Sequence, residues 1–177
     1  IQVNVGYTGT LTQASDLEIG LGHYQQSGAT YSASTYTLTL TGEFNLTGGS
    51  FTAPASTLIV SRDFSITGGS FNANNGNILF NGVTFLKTNG TVLNSMQVGT
   101  DAIAATVLLQ DDLEVGGDLQ VGSLGLLNAV SHAITESGDW YSDNIINLGA
   151  VTLAGMNKTI YSGTGSFVNL TVSGSYA

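Results

Sequence analysis

Gly22-His23-Tyr24-Gln25-Gln26-Ser27-Gly28-Ala29-Thr30-Tyr31, Gly42-Glu43-Phe44-Asn45-Leu46-Thr47-Gly48-Gly49-Ser50-Phe51 and Arg62-Asp63-Phe64-Ser65-Ile66-Thr67-Gly68-Gly69-Ser70-Phe71 are three versions of one phrase, each set 20 residues beyond the last. The second half of each unit keeps the same step: Leu38 and Leu40, then Leu58 and Val60, then Ile78 and Phe80. No gap is needed to align them. A fixed step of this size, with strand-like alternation inside it, predicts stacked coils. The fold class is therefore all-β, a parallel β-helix or solenoid with rungs of about 20 residues.

Working outward, an acid followed by apolar, polar and apolar residues recurs along the chain. It appears as Asp16-Leu17-Glu18-Ile19, Glu43-Phe44-Asn45-Leu46, Asp63-Phe64-Ser65-Ile66, Asp112-Leu113-Glu114-Val115 and Asp118-Leu119-Gln120-Val121, with a looser copy at Asp139-Trp140-Tyr141. Residues two apart on a strand point the same way, so the apolar pair faces inward and the polar residue outward. The acid falls at the corner, where Asp favours turns. Thr-Gly-Gly-Ser then turns the next corner, and the following inward residue is aromatic: Tyr31, Phe51, Phe71. Rungs about 4.8 Å apart would stack these rings into a ladder. Trp140 aligns with inward Phe64, and Gln26 stands where Leu46 and Ile66 stand, which predicts a less buried first rung. The period loosens between Val83 and Leu127 and returns in shortened form after Gly138. At this step the chain holds eight or nine rungs, a rod of roughly 40 Å.

Composition narrows the role. Of 177 residues, 42% are hydrophobic, 8% are charged and 24 are glycine, whereas about 25% charged is usual. The formal charge is −9, with only three basic residues, Arg62, Lys87 and Lys158. Nucleic-acid binding exchanges counterions for Lys and Arg, so no nucleic-acid partner is expected, nor an anionic membrane surface. No apolar run approaches the roughly 20 residues of a spanning helix, and no membrane insertion is expected. There is no cysteine, hence no disulfide framework. The numbering begins at Ile1, as expected of a chain that has lost a leader or of a piece of something longer. Four sequons, at Asn45, Asn89, Asn157 and Asn169, permit attached glycans.

Asp112-Leu113-Glu114-Val115-Gly116-Gly117-Asp118-Leu119-Gln120-Val121, Gly138-Asp139-Trp140 and Gly165-Ser166-Phe167-Val168-Asn169-Leu170-Thr171-Val172 resemble the repeats of secreted bacterial β-helix surface proteins. The resemblance covers most of the chain from Asp16 onward. It implies a right-handed parallel β-helix and an extracellular or cell-surface, structural or adhesive role. It transfers no catalytic residue.

Candidate chemistry is sparse. Gln110-Asp111-Asp112 has the paired carboxylates of a polysaccharide-cleaving site, but the Gly-His-Gly and Arg-x-Lys partners of that arrangement are missing. Asp111, Asp112, Glu114 and Asp118 could approach Ca²⁺, without a recognisable loop spacing. His23 and His132 read as surface or packing residues. The Thr-rich Tyr36-Thr37-Leu38-Thr39-Leu40-Thr41 suggests an ice-binding array, which fails where Thr39 gives way to Ile59 and Leu79. No catalytic residue, metal or cofactor is expected.

Two stretches point instead to assembly. Ile1-Gln2-Val3-Asn4-Val5-Gly6-Tyr7 alternates, with Ile1, Val3, Val5 and Tyr7 on one face. Residues 1–15 are read as an N-terminal strand that caps its own chain or links to a neighbour, and 16–177 as one solenoid domain. Ile59 and Leu79 are expected side by side on the outside, an apolar stripe that would meet another subunit or a later segment. The sequence thus favours a non-catalytic structural subunit of a filament, surface layer or appendage, forming a homo-oligomer or polymer through solenoid ends or the terminal strand. The alternative is an adhesin or carbohydrate-binding module, which needs aromatics such as Tyr7, Tyr24 and Tyr141 grouped on one wall.

Overall fold

The computed structural model describes residues 1–146, 148–163 and 167–177. The described residues form 21 strands and no helix. Strands 20 residues apart lie side by side in parallel: Phe44 pairs with Phe64, Phe51 with Phe71, Leu38 with Leu58 and Leu58 with Ile78. One sheet runs in spatial order Gln2–Val3, Tyr24–Ser32, Phe44–Thr52, Phe64–Asn72, Val83–Lys87, Ala105–Leu109, Gly125–Asn128, Ile145–Ile146, with Thr10–Thr12 also on Tyr24–Ser32. A second runs Leu17–Ile19, Leu38–Leu40, Thr57–Val60, Asn77–Phe80, Ser95–Val98, Leu119–Val121, Trp140–Ser142, Ile160–Ser162. A third, of four strands, begins only at Leu113–Val115 and continues through Ile134–Glu136, Ala150–Leu153 and Asn169–Val172. The result is a β-solenoid of about eight turns. Gly165 and Ser166, which open the last of the segments resembling secreted surface proteins, lie outside the described residues.

The three nine-residue strands explain the late start of the third sheet. Each shifts register in its middle, as at Leu46/Thr47 and Thr47/Ser50, and so bends around a corner. Gly49 and Gly69 sit at that corner with φ of 78° and 76°. A side chain at Gly49 would also collide with the Gly28 and Ala29 carbonyl oxygens of the coil below. Beyond the corner lie Tyr31, Phe51 and Phe71, so the far halves of these strands build the third face early in the rod.

Alternation puts the core where expected. Leu38, Phe44, Leu46, Phe51, Leu58, Val60, Phe64 and Phe80 are fully buried. Two ring columns rise through the first coils. Tyr31, Phe51 and Phe71 stack at 5.2 and 5.5 Å between centroids, within 11° of parallel. Tyr24, Phe44 and Phe64 stack at 5.4 and 4.6 Å. The columns meet edge to face, Phe44 on Phe51 at 4.9 Å. Each ring thus gains face and edge contacts together, worth about 0.5–1.5 kcal/mol per pair beyond burial.

Four expectations need correction. Gln26 is 1% exposed, not partly solvated. Tyr24 occupies the position of Phe44 and brings a hydroxyl inside; that hydroxyl donates to Gln26 Oε1 at 2.7 Å. The Gln26 amide in turn donates to the Gly28, Ala29 and Ser50 carbonyls. The Tyr31 hydroxyl likewise donates to Gln13 Oε1 at 2.9 Å. A buried hydroxyl without an acceptor is costly, so the two tyrosines require the two glutamines. Burial pushes the Tyr31 phenol up to about 12 and raises Tyr24 further, with Tyr31 adding to the shift at Tyr24.

The acid-led motif is not one recurring place in the coil. Glu43-Phe44 and Asp63-Phe64 open strands of the first sheet, Asp118-Leu119 and Asp139-Trp140 of the second, and Asp112-Leu113 of the third. Trp140 is buried, as expected, but it pairs with Leu119 and Ile160 rather than with Phe64's column. The N-terminal segment is also not a seven-residue strand. Only Gln2–Val3 pairs, with Gln25 and Gln26, and the Tyr7 N–H closes a turn onto the Asn4 carbonyl.

Phe51 sits between Tyr31 and Phe71 and against Tyr24 and Phe44. Phe51→Ala should therefore lower the unfolding free energy by about 3–5 kcal/mol in urea titration. Ile59→Ala, on the outer surface, should cost less than about 1 kcal/mol.

Candidate functional site

The acids are placed by the corners, and the corners use them. Where the chain turns between sheets the ladder lapses, and a backbone N–H of the neighbouring coil loses its carbonyl partner. Asp is short enough to reach it. Asp16 Oδ1 accepts from Thr37 N–H at 2.9 Å, Asp63 from Phe85 at 3.0 Å, Asp112 from Ala133 at 2.9 Å, Asp118 from Asp139 at 2.9 Å, and Asp139 from Thr159 at 2.7 Å. Asp111 accepts from Thr88 and Asn89, and Asp101 from the backbone and hydroxyl of Ser123. The Ser123 hydroxyl, more than its N–H, holds the Asp101 carboxyl below its ordinary range.

This accounts for the sequence candidates. Asp111 and Asp112 do not converge on a common point; each binds the backbone of a different coil. No group of three or more potential metal ligands occurs among the described residues. His23 Nδ1 lies 3.3 Å from Glu43 Oε2 and His132 Nδ1 3.5 Å from Asp112 Oδ1. Both pairs are solvated, and such contacts contribute little.

The assembly candidates separate. Of Ile1, Val3, Val5 and Tyr7, only Val3 is buried, at 2% exposure, while Val5 is 76% exposed. The four do not form one face, because the turn after Asn4 breaks the alternation. Tyr7 instead joins Leu11, Gln2, Val3 and Asn4 around an apolar cleft of about 320 Å³ at the N-terminal end. Ile59 and Leu79 are in register on adjacent strands and half-buried, as the stripe requires. The stripe is two coils long, with Thr39 on one side and Gln97 on the other. The aromatic wall does not form: Tyr24 is fully buried, Tyr7 is at one end, and Tyr141 is seven strands along the second sheet.

The opposite end was not legible as a site. Among the described residues Asn169–Val172 pairs on one side only, with Ala150–Leu153, and all four of its residues are exposed. Val168, Leu170 and Val172 are 72%, 42% and 49% exposed. In the sequence this segment is simply another alternating strand; only its position as the outermost strand turns its inward residues into surface.

Glu136 was also missed. Alternation points it inward between Val115 and Leu153, and it is fully buried. Its Oε2 accepts from the Tyr176 hydroxyl at 3.1 Å, and that hydroxyl accepts from Gly155 N–H at 2.8 Å. Glu136 Oε1, Trp140 Nε1 and Ser142 Oγ, all in one coil, are buried without a hydrogen-bond partner among the described residues. Burial pushes the Glu136 carboxyl up to about 7; the Tyr176 hydroxyl and Gly138 N–H act the other way, and Asp118 and Asp139 add to the rise. The only sequence signal was a charged residue two positions after Ile134 on an alternating strand.

Because the folded chain holds this proton more tightly than the unfolded chain, stability should fall as pH rises from about 4.5 towards 7, with the full penalty present above that. Glu136→Gln keeps an acceptor for Tyr176 and removes the titration. Its melting temperature should exceed that of the parent by a few °C at pH 8, and the gap should close by pH 4.5. No family model, curated protein or solved structure matches this chain.

Proposed function

We propose that this chain is a non-catalytic structural subunit of an extracellular or cell-surface filament, layer or appendage, joined to further copies end to end. The observation that carries the reading is the parallel ladder of about eight coils, whose corner acids are spent on backbone N–H groups of neighbouring coils instead of converging on a site. Coils of this regularity supply a spacing that a second rod can continue wherever a strand edge of the solenoid is left unpaired. The N-terminal coils also carry apolar surface, in the Tyr7–Leu11 cleft and at Leu21, which is 84% exposed. The resemblance to secreted bacterial β-helix surface proteins supports the compartment. The binding of corner acids to backbone N–H groups supports a role in architecture rather than catalysis.

The purified 177-residue chain should form regular fibres by negative-stain electron microscopy above a critical concentration. Leu170→Asp with Val172→Asp should leave far-UV circular dichroism unchanged, since both side chains are already exposed, and should reduce fibre formation at least tenfold in sedimentation assays. Ile59→Asp should spare the fibres and affect only their lateral bundling. A parent chain that remains an isolated rod at every concentration would falsify the proposal.

A further inference from the structure

The aromatic ladder ends at Phe71. One face of Phe71 stacks on Phe51 at 5.5 Å and 11°, and its edges meet Phe64 and Phe44. Among the described residues no further ring stacks on it. Strand Phe64–Asn72 pairs with the next coil only at Phe64 and Ser65, so among the described residues its far half has no strand partner on that side. The reason lies in the next coil. After Lys87 the chain leaves the sheet through Asn89 and Gly90, both at positive φ, and forms no third-face strand before the single Leu93–Val115 bridge.

The missing rung leaves an open cleft of about 520 Å³, within the range of small-molecule sites. Phe71 is half-buried there, and Val92, 44% exposed, stands on the opposite side. The other walls are amides and a hydroxyl: Asn72, Asn74, Asn75, Asn94 and Ser70. Asn74 is fixed, its amide donating to the Ala53 carbonyl at 3.0 Å. Asn94 donates to the Gly76 carbonyl at 3.1 Å, which leaves its Oδ1 as an acceptor. Asn72 uses its Oδ1 on Asn74 N–H, leaving its amide as a donor. Asn75 and Ser70 make no side-chain hydrogen bond among the described residues and are solvent-exposed. None of the lining residues is charged.

We propose that this cleft binds a neutral saccharide, with one sugar ring seated against Phe71 as the next step of the ladder. A pyranose has an apolar C–H face that suits an aromatic ring and an equatorial rim of hydroxyls that both donate and accept. The cleft supplies that combination: one ring face, amide donors and acceptors, and no charge to select an ion. The unpaired edge of residues 66–72 adds backbone donors and acceptors beside the ring. An extended peptide would also use that edge. A strand pairs mainly through its backbone, however, whereas the hydroxyls of a sugar also use the side-chain amides around the cleft, which favours the sugar. The site is independent of the rod ends, so it stands or falls separately from end-to-end assembly.

The test is a two-dimensional NMR titration of the chain, kept below its assembly concentration, with cellotriose, xylotriose, maltotriose and chitotriose, and with a Val-Thr-Val-Thr peptide. At least one sugar should shift the Phe71 ring and the Asn75 and Asn94 side-chain amides. Phe71→Leu, which still covers Phe51 but removes the ring face, should weaken that binding about fivefold or more. Asn75→Gly, which tolerates the positive φ at this position, should weaken it similarly and guards against a folding defect in the first variant. Tyr141→Ala should change nothing. The proposal is overturned if no sugar shifts these resonances, if the peptide shifts them and the sugars do not, or if both cleft variants bind as tightly as the parent.

Discussion

Each coil of this protein must satisfy the backbone of the next. In a parallel solenoid the N–H and C=O groups point along the axis, so almost every one must find a partner about 4.8 Å above or below. That requirement sets the step, because a side chain can lie over its equivalent only if the coil closes after a constant length. Between Tyr24 and Phe80 the step is 20 and both ring columns are in register. Where the length changes the ladder is kept by adjusting the corners: Phe64 pairs with Leu86, Met96 with Leu119, and Leu127 with Ile145. The strands hold while the turns absorb the difference.

The same requirement explains the charge. An aspartate at a corner substitutes for the carbonyl that the turn has removed, and seven of the chain's acids accept a backbone N–H in this way. A chain of net charge −9 would otherwise suggest a cation-binding surface. Here the acids are distributed along the rod at separate corners, each close to the amide it serves. Their mutual repulsion is spread out, and each gains a charge-assisted hydrogen bond, the stronger kind.

The architecture was legible because a 20-residue step and two-residue alternation are properties of sequence alone. They dictate the parallel pairing, the inward positions and the Phe51–Phe71 stack. What was not legible depends on neighbours far away in the chain. The motif Asp-Leu-x-Val looks alike on different faces, since every strand start has the same local needs, so sequence cannot say which face it opens. Gln26 read as exposed because its partner, the Tyr24 hydroxyl, is chemically invisible in a pattern of apolar and polar letters. Glu136 was hidden by the same limit: its acceptable burial depends on Tyr176, 40 residues on. The end strand Asn169–Val172 has ordinary composition, and only the lack of a further strand in the described sheet makes it a surface.

Irregularity, in this fold, is where binding becomes possible. A perfect solenoid covers each ring with another ring and each amide with another amide, leaving its flanks uniform and its interior closed. Two kinds of interruption open it. At the outermost described strand, Asn169–Val172, side chains of the inward parity, Leu170 and Val172, are exposed. In the middle, the excursion at 88–93 removes one strand from one face only. The other two sheets carry the chain past the gap without loss of register, so the defect costs little and remains open. It opens a cleft lined by Phe71 and a rim of amides on the side of the rod. A surface so placed lies away from both outermost strands, so the proposed ligand and the proposed end-to-end contact would not compete for the same groups.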